Sequence, residues 1–311
     1  MAEPTRAAVQ QRPWSSRTAV DAGAMLPEQG WAGVTGARSN RSSAAPPRQL
    51  WPIRRVDHGG ENLRFRNLDC MADLVYPPVL VAAQLMFRLL GNRIRISGAE
   101  YVPESGGAVL ACTHVSYLDF IYCGLGARPS KRLVRFMAKH EIFGNRIAGP
   151  LMRGMHHIPV DRSAGQASYD QAVDRLRAGE VVGVFPEATI SRSFTVKEIK
   201  TGAVRMAAEA GVPVVPMALW GTQRLWTKGR PKDLTRRHVP ISVVLGEPMT
   251  PGPDDACEVR TKDLRARMSA LLDQAQAEYP ETPADDERWW LPAHLGGTAP
   301  TPEEAAALDR P

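Results

Sequence analysis

Short apolar runs, each closed by Gly or Pro and set apart by helical patterns, constrain this chain more than any other feature. Ala108–Cys112 (AVLAC), Val181–Phe185 (VVGVF), Val212–Leu219 (VPVVPMAL) and Ile241–Leu245 (ISVVL) read as buried strands. Tyr117–Leu125, Gln166–Ala178, Ile199–Ala210 and Thr261–Glu278 read as helices. In the last, Leu264, Met268, Leu271 and Leu272 recur at helical spacing. Strands alternating with helices predict an α/β fold: a single domain with a mainly parallel central sheet flanked by helices. In such a fold, sites gather at the C-terminal ends of strands.

The charge pattern marks where that domain begins and ends. The formal net charge of +6 conceals three regions. Residues 1–70 hold 10 basic and 6 acidic groups, residues 71–275 hold 27 and 19, and residues 276–311 hold 2 and 8. The regional nets are +4, +8 and −6. The first 70 residues contain only ten Ile, Leu, Val or Phe against six Gly and six Pro. That is too little apolar mass to offset chain entropy, so a disordered leader is expected, with Met71 an alternative start. The expected domain runs over 71–279. A Pro-rich acidic tail follows over 280–311, from which Trp289 and Trp290 are expected to pack back on the body.

Several classes drop out. Cys70, Cys112, Cys123 and Cys257 lack zinc-site or disulfide-framework spacing, and no metal or bound redox cofactor is expected. The N-terminus lacks the apolar core of a secretory signal. The longest charge-free apolar stretch, Leu74–Phe87, is too short to span a bilayer and holds Pro77-Pro78. A reducing, cytoplasmic setting is expected. The basic residues are dispersed, without aromatic interleaving or a DNA-reading motif, so nucleic acid is not an expected partner. Oligomeric state leaves no signal in the sequence.

The chemistry concentrates in Cys112-Thr-His-Val-Ser-Tyr-Leu-Asp119. An apolar strand runs into His114, Ser116 stands where a helix N-cap would, and Asp119 follows three residues later. With a turn at 114–116 and a helix from 117, the imidazole can fold back over Asp119. The helix macrodipole favours a negative charge there. A carboxylate on one imidazole nitrogen fixes the tautomer and leaves the other as a base. The same residues also admit a plainer role, Asp119 as a helix cap and His114 as a polar strand end. Farther on, Gly154–Arg162 ends an extended run in Asp161-Arg162. Phe185-Pro-Glu-Ala-Thr-Ile-Ser-Arg192 leaves the VVGVF strand with Glu187, two hydroxyls and an Arg. Arg side chains at strand ends beside a His–Asp pair suit an anionic substrate, because guanidinium offers paired donors to phosphate.

Together these stretches resemble the lysophospholipid (glycerol-phosphate) acyltransferase family, in particular its 1-acylglycerol-3-phosphate acyltransferases. The family's four blocks fall in order over about 108–220. HxxxxD is His114…Asp119, the hydrophobic-Asp-Arg block is Ile158–Arg162, FPEG is Phe185–Arg192, and VPVVP is Val212–Pro216. Ala138-Lys139-His140-Glu141 is similar to the family's AKxEL stretch and Lys200-Thr201-Gly202 to its KxG, which widens the likeness to roughly 71–250. The resemblance implies that His114 is the general base and Asp119 its orienting partner, with no covalent acyl-enzyme. It implies Arg162 on the acceptor phosphate, Glu187 shaping the acceptor pocket and Lys200 adding positive charge. Thr189, Arg192, Gly202 and Lys139 join these as substrate-binding positions. The implied partners are a lysophospholipid acceptor, acyl-CoA or acyl carrier protein as co-substrate, and an anionic membrane surface. The implied place is the cytoplasmic side of the cell membrane, peripherally.

Two departures bear on the acceptor. Thr113 stands where the family usually has Asn. Ala188 replaces the Gly of FPEG, and Arg192 falls later than a simple alignment puts it. Met71–Arg95 reads as a Pro-broken apolar helix ending in Arg88, Arg93 and Arg95, suited to lying in an anionic bilayer face or, equally, to packing on the domain. Other acceptors stand as alternatives: glycerol 3-phosphate, another lysophospholipid or a glycolipid alcohol. So do an ester or thioester hydrolase using Ser116 or a Cys112–His114 pair, and a non-catalytic lipid-binding module.

Overall fold

The computed structural model describes residues 74–161 and 165–310. All of them belong to one unit, Arg66–Pro311. The expected leader and the Met71 start lie outside the described residues, as does Arg162. Among the described residues seven strands form one sheet: β1 (Arg93–Ser97), β2 (Ala108–Cys112), β3 (Val134–Lys139), β4 (Ile158–Val160), β5 (Val181–Val184), β6 (Val214–Trp220) and β7 (Pro240–Leu245). Their spatial order is β1-β7-β6-β2-β5-β3-β4. β2 lies at the centre, parallel to β5 on one side and β6 on the other, and β3 is parallel to β5 and β4. β7 runs antiparallel to β6 and carries β1 parallel to itself. The expected mainly parallel α/β sheet is the observed one.

Helices cover both faces. On one lie α1 (Tyr76–Leu89), α2 (Asp119–Ala127), α3 (His140–Phe143) and α4 (Ala148–Gly154). Tyr76, Leu80 and Phe87 of α1 are buried there with Tyr122, Cys123 and Leu125 of α2. On the other lie α5 (Gly165–Arg177), α6 (Gly202–Ala210) and α7 (Cys257–Ala277), which bury Val173, Leu176, Val204, Leu264, Met268 and Leu272 against the sheet. β2, β5, β6 and β7 are buried throughout, which is why they read as continuous apolar runs rather than alternating ones.

Several local expectations change. Pro77-Pro78 start α1 rather than break it, because Pro is pre-set for the first helical turn. Arg93 and Arg95 lie in β1, not in a helix end. α1 packs on the domain, as one of its two readings expects. Its Tyr76–Leu80–Phe87 face is core, while Val81, Leu85, Met86 and Leu89 are 46–71% exposed. Among the described residues no helix is long and apolar enough to cross a membrane.

The segment from 280 onward differs most from a solvated tail. It forms 3₁₀ turns at Asp285–Trp290 and Ala293–Leu295 and a last helix, α8 (Pro302–Leu308), opened by a capping box between Thr301 and Glu304. Trp290 is fully buried, with Tyr279 edge-on at 5.6 Å and the Arg224 guanidinium over its ring at 4.7 Å. Arg230 lies over Trp289 at 5.0 Å. The acidic groups of this segment pair with basic groups of the body: Glu281 with Arg224, Glu287 with Arg236, and Asp309 with three cations. The opposite regional charges seen in the sequence are thus partners in the fold.

Candidate active site

The site forms where three strands end side by side. β2 delivers His114, β5 delivers Phe185 and Glu187, and β6 delivers Thr222. A parallel sheet opens a crevice at such a place because its connections leave a central strand in opposite directions. Here the chain leaves β2 for β3 on one side, while β6 is the neighbour on the other.

Asp119 organises the first loop. It is fully buried and is the first residue of α2, so helix formation begins at 119 rather than at the expected 117. Ser116 is not the N-cap. Instead, the Val115 and Ser116 amides each donate to Asp119 Oδ2 at 2.7 Å, and the His114 Nδ1 lies 3.1 Å from the same oxygen. The Thr222 hydroxyl donates to Oδ1 at 2.7 Å. Four donors on two oxygens suit a carboxylate, which only accepts when ionised. Thr222 reaches it because Gly221 turns the chain sharply after β6 at φ +95°. A Cβ there would lie 2.2 Å from the Pro240 carbonyl oxygen.

The imidazole of His114 is 19% exposed and stacks on Phe185, with centroids 4.2 Å apart and planes at 22°. Its backbone is held by the second loop. The His114 amide donates to Glu187 Oε1 at 2.8 Å, and its carbonyl accepts from the Ser191 amide at 2.7 Å. Glu187 Oε2 accepts from the Lys197 amide at 3.1 Å. Burial pushes the Glu187 carboxyl up to about 7, opposed by the Lys197 and His114 amides it accepts from and by the charges of both residues. A third loop closes the frame: Ser116 Oγ donates to the Trp226 carbonyl and Thr227 Oγ1 to the Val115 carbonyl, both at 2.7 Å.

The two sequence departures have structural readings. The Thr113 hydroxyl accepts from the Leu219 amide at 3.0 Å, tying the end of β2 to β6. Ala188 sits at φ +61°, in the left-handed region that glycine occupies without cost. An Ala there costs about 1–2 kcal/mol, which explains why a Gly would be at home at this position.

The structure gathers some expected residues and separates others. Thr189 contacts the Lys197 ammonium. Arg192 Nε donates to Asp309 Oδ1 at 3.1 Å. Lys139 and Lys200 are exposed, and a Cβ at Gly202 would meet no atom within 4 Å, so no close backbone approach is needed there. Ser116 is fully buried with its hydroxyl on a carbonyl, and Cys112 lies in the core with its sulfur 3.7 Å from that of Met217. Neither occupies a nucleophile's place beside the imidazole. Among the described residues no three His, Cys, Asp or Glu side chains converge as metal ligands would. A cavity of about 480 Å³ beside the edge strand β4, lined by His140, Phe143, Arg153, His156, His157 and Arg175, involves none of these groups.

Sequence reading missed Thr222, Lys197, Lys228 and Asp309. Only Gly221, just after an apolar run, hinted at the first. Asp309 gathers Arg192, Lys197 (3.4 Å) and Lys228 (2.5 Å). Burial pushes its carboxyl up, but hydrogen bonds from Lys228 and Arg192 and the charge of Lys197 outweigh that and hold it below the usual carboxylate range.

The comparisons with known proteins agree with this architecture. The family model described as Acyltransferase matches residues 93–220, from β1 to the end of β6. The 1-acyl-sn-glycerol-3-phosphate acyltransferase of Bacillus subtilis (strain 168) is 32% identical over 197 residues, covering 62% of this chain and 90% of that protein. The chain belongs to this acyltransferase family. The protein of the same name from Cocos nucifera is 30% identical over 173 residues, 54% of either chain. The crystal structure of the 1-acyl-sn-glycerophosphate (LPA) acyltransferase PlsC from Thermotoga maritima shares the fold, with a TM-score of 0.56 at 22% identity over 71% of this chain and 86% of that one. Within the family, the chain is a 1-acylglycerol-3-phosphate O-acyltransferase-like enzyme.

Proposed function

We propose that the protein moves a fatty acyl group from an acyl thioester, acyl-CoA or acyl carrier protein, to the free hydroxyl of 1-acylglycerol 3-phosphate, giving phosphatidic acid. The observation that carries this reading is the His114–Asp119 pair, 3.1 Å apart at the end of the central strand. Asp119 keeps the proton on Nδ1, so Nε2 accepts one. The acceptor oxygen attacks the thioester carbon as its proton passes to Nε2. The tetrahedral intermediate then expels the thiolate, which takes that proton back, so no acyl-enzyme forms. The relatives named above support the acceptor, and Arg192, Lys197 and Lys228 supply charge beside the loop for a phosphate.

An acceptor comparison tests the substrate. With labelled acyl-CoA, 1-acylglycerol 3-phosphate is expected to outperform the monoacylglycerol that lacks only the phosphate by about 10²-fold or more in kcat/KM, the scale of a lost charge-assisted contact pair. Equal rates with both would remove the phosphate assignment and leave acyl transfer in place.

The apolar face of α1 gives the enzyme its route to lipid. Val81, Leu85, Met86 and Leu89 are exposed together, with Arg88 in the last turn. This suits peripheral docking on an anionic leaflet, the cytoplasmic side of the cell membrane. The full chain is expected to sediment with phosphatidylglycerol vesicles at low salt and less with the Leu85→Ser/Leu89→Ser variant. Recovery of the wild type in the supernatant would refute the docking.

A further inference from the structure

Three cations from the loops that frame His114 close on one carboxylate near the C-terminus. Arg192 Nε lies 3.1 Å and Lys228 Nζ 2.5 Å from Asp309 Oδ1, and Lys197 Nζ lies 3.4 Å from Oδ2. Lys197 also reaches the Thr189 hydroxyl and the Ile190 carbonyl. These are the same loops that hold the His114 backbone. Ser191, next to Arg192, donates to the His114 carbonyl, and Glu187 bridges the His114 and Lys197 amides. Thr227, next to Lys228, donates to the Val115 carbonyl.

Charge and placement both mark this cluster as a seat for something more anionic than Asp309. Three formal positive charges meet one negative charge, whereas a phosphate monoester brings about −1.5 to −2 and three acceptor oxygens. Asp309 also sits just past the last residue of α8, at the end of a helix where the macrodipole disfavours an anion. The helix does not call for a carboxylate there, and the cations do. α8 itself is held lightly: of its seven residues only Ala305 is buried. Apart from the ion pairs of Asp309, which an incoming phosphate replaces, a short helix with one buried residue detaches at low cost.

We propose that Asp309 fills the phosphate seat formed by Arg192, Lys197 and Lys228 until an acceptor displaces it. This rests on the function proposed above and adds a built-in competitor to it. A competitor attached to the chain lowers apparent acceptor affinity by the fraction of molecules in which the seat is filled. It leaves the chemical step untouched once the acceptor is in place.

The test uses the full-length protein as wild type, Asp309→Asn, Asp309→Ala and the Asp309→Asn/Lys228→Gln double variant. Two readouts are taken: kinetics with acyl-CoA and 1-acylglycerol 3-phosphate, and the thermal shift given by inorganic phosphate alone. Both single variants are expected to lower the acceptor KM about tenfold with kcat and the acyl-CoA KM unchanged, as for a seat about nine-tenths filled. They should also respond to about tenfold less phosphate than the wild type. Adding Lys228→Gln should reverse both gains. If the single variants keep wild-type KM and phosphate response, or raise KM, the competitor role is overturned. If no variant transfers an acyl group yet the phosphate response appears with Asp309→Asn and vanishes with Lys228→Gln, the seat and its plug stand and the transfer reading falls. Asp309 is not a core residue and its helix buries only Ala305, so both replacements spare the core, and far-UV circular dichroism checks this.

Discussion

Replacing His114 with Ala is expected to lower kcat for acyl transfer by about 10²–10⁴-fold, the contribution of a positioned general base, the role proposed for it. The geometry makes this a clean deletion. The ring is partly exposed and stacks on one side chain, Phe185, while the backbone of residue 114 keeps its bonds to Glu187 and Ser191 whatever the side chain. Asp119 retains the two amides and the Thr222 hydroxyl. Both KM values should therefore stay within a few-fold of the wild type, with the thermal midpoint close to it. Steady-state kinetics beside a melting curve reads all three. A variant that keeps more than a tenth of wild-type kcat would remove His114 from the chemistry.

Asp119→Asn is expected to damage both stability and rate. The buried carboxylate accepts from four donors, and an amide of the same shape offers one acceptor oxygen and turns an NH2 toward the others. At least one buried amide or the Thr222 hydroxyl then loses its partner, at about 1–3 kcal/mol for each such group. The expected loss is about 2–5 kcal/mol by denaturant titration. The rate falls further because nothing then holds the proton on Nδ1; a triad carboxylate changed in this way loses about 10⁴-fold in other enzymes. Stability loss without any fall in kcat would make Asp119 a loop residue only, the plainer role that its sequence also allows.

The fold was legible where burial is complete and obscure where it is partial. β2 reads directly as AVLAC because all five residues are buried. β1 (RIRIS) and β3 (VRFMAK) carry arginines that break an apolar run. Arg135 is buried all the same, its charge met by Glu180 at 3.5 Å. β4 has three residues, too few for a pattern. The antiparallel sense of β7 cannot be read from its own residues, since direction is set by its pairing with β6.

The site divides along a similar line. His114, Asp119 and Glu187 stand in motifs whose members are near in sequence. Thr222 reaches Asp119 across 103 positions and Asp309 reaches Arg192 across 117. Contacts of that kind depend on where β6 ends and where the last helix lands. Composition pointed the wrong way for the C-terminal segment. Its many Pro and few aliphatics resemble a solvated tail, yet two Trp and a set of well-placed carboxylates hold it on the basic body.

The central claim is direct, base-catalysed transfer to an acceptor hydroxyl, and one measurement tests it most closely. Release of CoA and formation of the diacyl product are followed together in the first turnovers, with and without 1-acylglycerol 3-phosphate. The account expects CoA and phosphatidic acid to appear one for one, no CoA without acceptor, and an unmodified protein mass throughout. Release of CoA and fatty acid at the same rate without acceptor, or an acylated protein formed before product, would contradict it.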